Sequence, residues 1–147
     1  MKLISSTELI LELAVAGYGG GNSGIFDIVD RQYALMTEDF LTGEFSKSLW
    51  SLQNFFETKQ WIAESNDCDD FARAAAFLAQ TLHHRTPNKP KDSGIAFGEL
   101  WYVRDAGDAH AIDIVKTENG YKEYEPQTRS IVKLSDTERA NTFKIRF

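Results

Sequence analysis

The clearest hydrophobic pattern in the chain is a helical stripe over residues 68–84. Apolar side chains recur there at the spacing of one helix face, at Phe71, Ala74, Ala75, Leu78, Ala79 and Leu82. The only cysteine, Cys68, precedes this stripe by three residues and shares its face. Asp67 or Asn66 is expected to cap the first turn through a side-chain oxygen. The pattern therefore predicts a helix that carries the thiol at its N-terminus.

Shorter helices are predicted earlier in the chain. Ser5 to Glu8 has the sequence of a capping box, which predicts a helix through about Ala16. Residues 25–36 and 46–58 are also interpreted as helical, the second with an apolar face. The aromatic residues near its end are expected in the core: Trp50, Phe55, Phe56 and Trp61.

The glycine-rich segment Gly17–Gly24 lies between the first two predicted helices. A phosphate-binding loop would need a strand before it and a lysine after it, and the sequence has neither. We therefore interpret the segment as a flexible or tightly turned connector, whose role the sequence leaves open.

From residue 95 onward the hydrophobic period changes from that of a helix to that of a strand. Strands are predicted over residues 95–104, 109–117, 121–126, 130–134 and 142–147, and Asn119–Gly120 is typical of a hairpin turn. Helices followed by an antiparallel sheet indicate an α+β protein. We expect one domain over residues 1–147, with a helical N-terminal part (1–45) and a core (46–147).

Composition and charge exclude several classes of function. The net charge of -6 disfavours a nucleic-acid partner, because phosphate binding needs a basic surface. No apolar run approaches the ~20 residues of a membrane span, and Glu8 and Glu12 interrupt any signal-peptide pattern. A single cysteine fits a reducing compartment. A cytoplasmic protein with neither a nucleic-acid nor a membrane partner is therefore expected, and its oligomeric state is left open.

The candidate chemistry centres on Cys68, His110 and Glu125. A helix N-terminus lowers the pKa of a thiol, and a nearby imidazole can take its proton. A two-residue turn at Asn119–Gly120 would pair Ile114 with Glu125 and place Gln127 diagonal to His110 on the same sheet face. Either Glu125 or Gln127 could then orient the imidazole.

These residue types suggest the roles of a cysteine nucleophile site. Cys68 would attack, and His110 would serve as its base and then as acid. An oxyanion would need N–H donors, for which the backbone of Cys68 and the residues Asn66, Gln60 and Trp61 are candidates.

The segments Asp67–Ala72, His110–Ile114 and Glu125–Thr128 together resemble the transglutaminase-like branch of the papain-like cysteine enzymes. The similarity is to its small bacterial and phage members and covers roughly residues 61–128. The chain departs from that pattern at Glu125, where the family usually has Asp or Asn, and at Ala109, where glycine is common. The resemblance implies a papain-like core with N-terminal helices packed on an antiparallel β-sheet.

The resemblance also implies a function. It suggests a cysteine protease or amidase, a hydrolase or acyl transferase that acts on an amide bond of a peptide or protein through an acyl-enzyme. The alternative is an inactive transglutaminase-like fold that binds proteins, for example one derived from a phage. A metal hydrolase using Cys68 and His110 is a third alternative, but the ligand spacing is poor. No cofactor is required, although some relatives hold calcium where Asp67 and Asp69 lie.

Overall fold

The computed structural model describes residues 1–63 and 65–147. The described strands are β1 (Leu3–Ser5), β2 (Phe26–Asp27), β3 (Gln32–Ala34), β4 (Gly94–Ile95), β5 (Phe97–Val103), β6 (Ala109–Thr117), β7 (Gly120–Glu125), β8 (Ser130–Val132) and β9 (Thr142–Arg146). The described α-helices are α1 (Ser6–Val15), α2 (Glu38–Phe40), α3 (Ser46–Phe55), α4 (Cys68–Arg85) and α5 (Asp136–Ala140). None of these helices is long and apolar enough to cross a bilayer.

Two sheets organise the molecule. The larger has the strand order β2-β9-β5-β6-β7-β8, and the smaller has the order β1-β3-β4. Pairing within β5, β6, β7 and β8 is antiparallel, whereas β2 runs parallel to β9 and β3 runs parallel to β4. The strands predicted after residue 95 are all present, and each differs from its predicted bounds by at most two residues.

The larger sheet buries a different hydrophobic core on each face. On the face that we call the α1 face, Ile112 and Ile114 join Leu9 and Leu13 of α1. On the opposite face, which we call the α4 face, the cluster consists of Ala34, Met36, Leu41, Phe45, Leu49, Ala75, Ala79, Ile95, Phe97, Val115 and Tyr124. The sheet is therefore covered on both sides, and α4 packs against only one of them.

The first helix and the glycine-rich connector agree with expectation. The Ser5 hydroxyl accepts a hydrogen bond from the Glu8 backbone N–H at 3.2 Å, and the Glu8 carboxylate accepts one from the Ser5 N–H at 3.0 Å. The connector is a tight turn, in which Gly19 has φ +75° and a Cβ would lie 2.4 Å from the Ile25 side chain. Only glycine fits that position without strain.

The N-terminal part differs from the prediction. Residues 25–36 are not helical: Phe26–Asp27 pairs with β9, and Gln32–Ala34 pairs with β1 and β4. Neighbouring strands offer these residues backbone partners that a helical pattern cannot reveal. The expected plan of N-terminal helices packed on a wholly antiparallel sheet is therefore wrong.

The aromatic residues around the end of α3 are not in the core either. Trp50, Phe55, Phe56 and Trp61 are 45%, 78%, 61% and 52% exposed. The helix ends at Phe55, and Leu49 and Gln53 are its buried residues. The apolar spacing of residues 46–58 therefore overstated how far the packed face of α3 extends.

The hairpin between β6 and β7 has a register two residues away from the predicted one. Thr117 pairs with Gly120 and Ile114 pairs with Glu123, so the turn is centred on Glu118–Asn119. A shift of two preserves the face on which each side chain lies, because side chains alternate along a strand. The shift moves Glu125 one pair closer to His110.

Candidate functional site

His110 and Glu125 form a hydrogen-bonded pair at one end of the larger sheet. His110 is the second residue of β6, Glu125 is the last of β7, and His110 Nε2 lies 2.9 Å from Glu125 Oε2. Their side chains are only 14% and 16% exposed. Tyr102 of β5 packs edge-on against the imidazole with ring centroids 5.9 Å apart. These contacts fix the orientation of the ring.

The structure also distinguishes Glu125 from Gln127. The second oxygen of Glu125, Oε1, accepts a hydrogen bond from the backbone N–H of Gln127 at 3.0 Å. Gln127 thus orients the carboxylate through its backbone, while Glu125 provides the side chain that contacts His110.

Cys68 begins α4 and is a partly buried free thiol. It lies within electrostatic range of Arg104, which follows β5: the pKa of Arg104 is raised first by its hydrogen bond to Asp108, with smaller contributions from Tyr102 and Cys68. The thiol is therefore close to the end of the sheet where β6 begins. Within the described residues, however, no hydrogen bond joins Cys68 to His110.

The two sheet faces explain why no hydrogen bond joins the thiol and the imidazole in the described structure. By alternation His110 belongs to the α1 face together with Ile112, whereas Ala75 and Ala79 hold α4 against the α4 face. α4 therefore lies against the strand of His110, but on the sheet face away from the imidazole.

The three side chains suggested as oxyanion donors are placed differently from one another. The Asn66 amide donates to the backbone oxygens of Thr58 and Gln60 at 3.2 and 2.6 Å. Its donors therefore close the loop before α4. Gln60 and Trp61 are exposed residues of that same loop.

Three acids adjacent to Cys68 in sequence cluster at the start of α4. One oxygen from each of Asp67, Asp69 and Asp70 lies within 4.8 Å of the others. The Asp69 carboxylate, as a hydrogen-bond partner and a like charge, raises the pKa of Asp67. The pKa of Asp69 is lowered, first by Asp67 and then by Arg73, whose guanidinium lies 2.8 Å from Asp69 Oδ2. Oxygen ligands of this kind suit calcium, but Arg73 already neutralises part of the charge.

Sequence reasoning missed several charged and aromatic residues around this centre. Tyr102 and Arg104 reach it only through the pairing of β5 with β6, which no local pattern shows. Asp113 did leave a signal: it is an acid within the apolar run 111–115 and has no exposed surface.

Comparison with known proteins gives a fold but not a family. No protein-family model matches the chain, and no curated protein sequence matches it. Among solved structures, the complex of PSL1a with E64 superimposes with a TM-score of 0.73 and 17% identity, covering 99% of this chain and 50% of the other. The lectin of Polyporus squamosus, bound to the human-type influenza-binding epitope Neu5Aca2-6Galb1-4GlcNAc, superimposes with a TM-score of 0.73 and 18% identity. This match covers 99% of this chain and 49% of the other. The chain thus spans about half the length of these relatives.

These similarities correct the family assigned from the sequence. The transglutaminase-like identification and the papain-like core that it implied are wrong, because the chain shares its fold with half of a lectin chain instead. The motif consisted of short segments around Cys68, His110 and Glu125. A thiol at a helix start followed by a histidine on a strand fits more than one arrangement of elements, so the motif did not determine the fold.

The functional conclusions drawn from that family are corrected with it. A cysteine hydrolase or acyl transferase acting on peptide amide bonds, and an inactive protein-binding member of the same family, both depended on the transglutaminase-like assignment. One of the solved relatives is a carbohydrate-bound lectin.

Proposed function

We propose that the chain is a ligand-binding module and that its ligand site is the centre formed by Cys68, His110 and Glu125. The supporting observation is the 2.9 Å bond between His110 Nε2 and Glu125 Oε2 at the end of the sheet where α4 begins. That bond occupies Nε2 and leaves Nδ1 as the ring nitrogen available to a ligand or to the thiol.

Each residue has a distinct proposed role in this centre. Cys68 provides the thiol that contacts the ligand from the first turn of α4. Glu125 orients the imidazole of His110, which would take the thiol proton once the two side chains meet at the end of the sheet. The similar PSL1a structure is a complex with E64, so E64 is one probe for the proposed centre.

Thiol labelling tests this proposal directly, because Cys68 is the only cysteine. Intact mass spectrometry would follow the rate of alkylation by iodoacetamide between about pH 5 and pH 9. We expect the rate below about pH 8 to fall roughly tenfold in His110→Ala and by less in Glu125→Gln. Incubation with E64 should add one equivalent of mass to the wild type and none to Cys68→Ser.

The matched control is Cys68→Ser, which must abolish all labelling by either reagent. Circular dichroism would show that each variant is folded. Equal alkylation rates in the wild type and His110→Ala over the whole pH range would contradict a thiol–imidazole centre.

Carbohydrate binding is a second candidate, favoured by the glycan-bound lectin among the solved structures. Exposed Trp50 and Trp61 are surfaces on which a sugar ring could stack. Titration with the trisaccharide Neu5Aca2-6Galb1-4GlcNAc, followed by changes in tryptophan fluorescence, would test it. Saturable quenching lost in Trp50→Ala would support a glycan site, whereas no change at millimolar sugar would exclude it.

We also propose a calcium site at Asp67 and Asp69. Location in the cytoplasm is a separate proposal. The carboxylate oxygens at the start of α4 fit a hard cation, and bound calcium would oppose the rise in the pKa of Asp67 that Asp69 causes. We expect millimolar calcium to raise the melting temperature of the wild type but not of Asp69→Asn. An equal shift in both would place the ion elsewhere.

A further inference from the structure

Two buried carboxylic acids lie side by side on the α4 face. Glu99 of β5 pairs directly with Asp113 of β6, and the residues are 7% and 0% exposed. Within the described structure, Glu99 Oε2 and both Asp113 oxygens have no hydrogen-bond partner. Buried carboxylates without partners are costly, so such acids generally stay neutral or serve a ligand.

Charged groups from several elements face this pair. Burial raises the pKa of Glu99; Arg73 of α4 and Arg146 and Lys144 of β9 oppose this rise, while Asp69 adds to it. Burial also raises the pKa of Asp113, and the carboxylates of Glu99 and Glu125 raise it further. Both acids therefore keep their protons to a higher pH than free carboxylic acids.

Glu99 is also part of the wall of a surface cavity of about 340 Å³ between α4 and the edge of the sheet. Phe97, Phe147 and Gln80 line it, together with Arg73 and Arg146. Both guanidinium groups already contact acids: Arg73 contacts Asp69 at 2.8 Å and Asp70 at 3.3 Å, and Arg146 Nε lies 3.7 Å from Asp27 Oδ2. A guanidinium has five N–H donors, so donors remain for a ligand.

We propose that this cavity binds a small carboxylate carrying an apolar ring, with Arg73 and Arg146 pairing its charge and the Glu99 carboxyl group donating a hydrogen bond to it. Two arginines disfavour an ammonium ligand, whereas they form charge-assisted hydrogen bonds with a carboxylate. The phenylalanine walls provide apolar surface for the ring. Asp113 lies behind Glu99, where a second carboxyl helps to keep Glu99 protonated.

Three probes of the same shape and different charge test the proposal: benzoate, benzamide and benzylamine. Each would be titrated into the full chain at about pH 6, with binding followed by amide chemical shifts in NMR spectra. We expect saturable shifts with benzoate at residues around Glu99, at least fivefold weaker binding of benzamide, and none of benzylamine. Benzoate affinity should fall as the pH rises and Glu99 loses its proton.

Variants separate the roles of the charged groups. Arg146→Gln should weaken benzoate binding at least fivefold, while Arg104→Gln, an arginine outside the cavity, should leave it unchanged. Glu99→Gln keeps an uncharged donor, so it should retain binding and lose its pH dependence. Cys68→Ser should bind benzoate like the wild type, which separates this site from the proposed thiol centre.

Several results would overturn the proposal. These are tighter binding of benzylamine than of benzoate, benzoate shifts that do not saturate, or no effect of Arg146→Gln. Should Glu99→Gln fail to fold, the exposed Arg146→Gln variant and the charge series on the wild type still decide the question.

Discussion

The two faces of the larger sheet each bury a carboxyl group, and they treat it in opposite ways. On the α1 face, Glu123 is 5% exposed and accepts hydrogen bonds from Tyr18 Oη at 2.6 Å and from Arg139 Nε at 2.8 Å. On the α4 face, Asp113 is fully buried and has no hydrogen-bond partner in the described structure. One acid is compensated by partners, and the other is not.

The comparison shows two ways in which a buried carboxyl group is tolerated within one small sheet. The cost of burying Glu123 is offset by the Arg139 cation and the Tyr18 hydroxyl. The Glu123 carboxylate raises the pKa of Arg139. The pKa of Tyr18 is raised first by burial and then by the same carboxylate. Around Asp113 the cost is met by retaining a proton, since burial raises its pKa well above the ordinary value. The first arrangement is rigid, whereas the second depends on pH.

The largest expected effect on stability comes from removing the cation that pairs with Glu123 on the α1 face. Arg139→Met removes the cation and leaves the Glu123 carboxylate buried with only Tyr18 as its partner. We expect the free energy of unfolding to fall by about 3 kcal/mol, because removing one member of a buried ion pair strands the other. Urea denaturation followed by circular dichroism would measure the change.

The control for that variant is Arg104→Met, which breaks an exposed ion pair with Asp108. Exposed pairs contribute about 0–1 kcal/mol, so its effect should be far smaller. Similar losses in the two variants would show that the Glu123 pair is not energetically distinct.

The second prediction concerns Asp113, the buried carboxyl group without a partner, which should make the free energy of unfolding depend on pH. The pKa of Asp113 is higher in the folded protein than in the unfolded chain, where it is ~4. The free energy of unfolding therefore falls as the pH rises from the unfolded pKa up through the raised folded pKa. One proton contributes a slope of up to about 1.4 kcal/mol per pH unit. We expect Asp113→Asn to flatten this slope and to be more stable than the wild type at alkaline pH.

Asp136→Asn, at a fully exposed position of α5, is the matched control and should keep the wild-type slope. Urea midpoints collected from about pH 4 to pH 9 would distinguish the curves. A wild-type curve that rises over this range, or one that Asp113→Asn leaves unaltered, would contradict an uncompensated buried acid.

A smaller effect is expected from the hydroxyl on the paired side. Tyr18→Phe removes one donor to Glu123 but leaves Arg139 in place, so we expect a loss of about 1.5 kcal/mol, typical of a hydrogen bond to a charged group. Tyr121→Phe loses a bond to the neutral Leu9 carbonyl at 3.1 Å and should cost less. Thermal unfolding of both variants would rank them, and the reverse order would show that charge does not strengthen the Tyr18 bond.

The sequence predicted local structure well where the hydrophobic period and the turn residues are clear. The α4 stripe, the capping of α1 by Ser5 and the strands after residue 95 all follow from periodicity and turn chemistry. It failed over residues 25–36, where the extended conformation depends on strands distant in the sequence. The exposed Phe55 and Phe56 were also misjudged, because an apolar pattern does not show where its packing partner ends.

The candidate site was predictable in its residues more than in its arrangement. Histidine at the head of β6 and an acid across the hairpin were found from alternation, and the two-residue register shift preserved their common face. Whether Glu125 or Gln127 contacts His110 depended on that shift, which moves a side chain along the strand by two residues. The family resemblance misled because short motifs carry little information about the surrounding fold.

The amino-acid pattern alone predicted α1, α3, α4 and the strands after residue 95, together with the thiol at a helix start and the alternation that groups His110 with Glu125. These depend on neighbours a few residues apart, whose spacing is fixed by helix and strand geometry. Tertiary packing places α4 on the face away from His110. It also brings Tyr18 and Arg139 to Glu123, and it leaves Asp113 without a hydrogen-bond partner in the described part of the chain. Those outcomes depend on packing between distant segments, which determines both the burial of a charge and the groups that can compensate it.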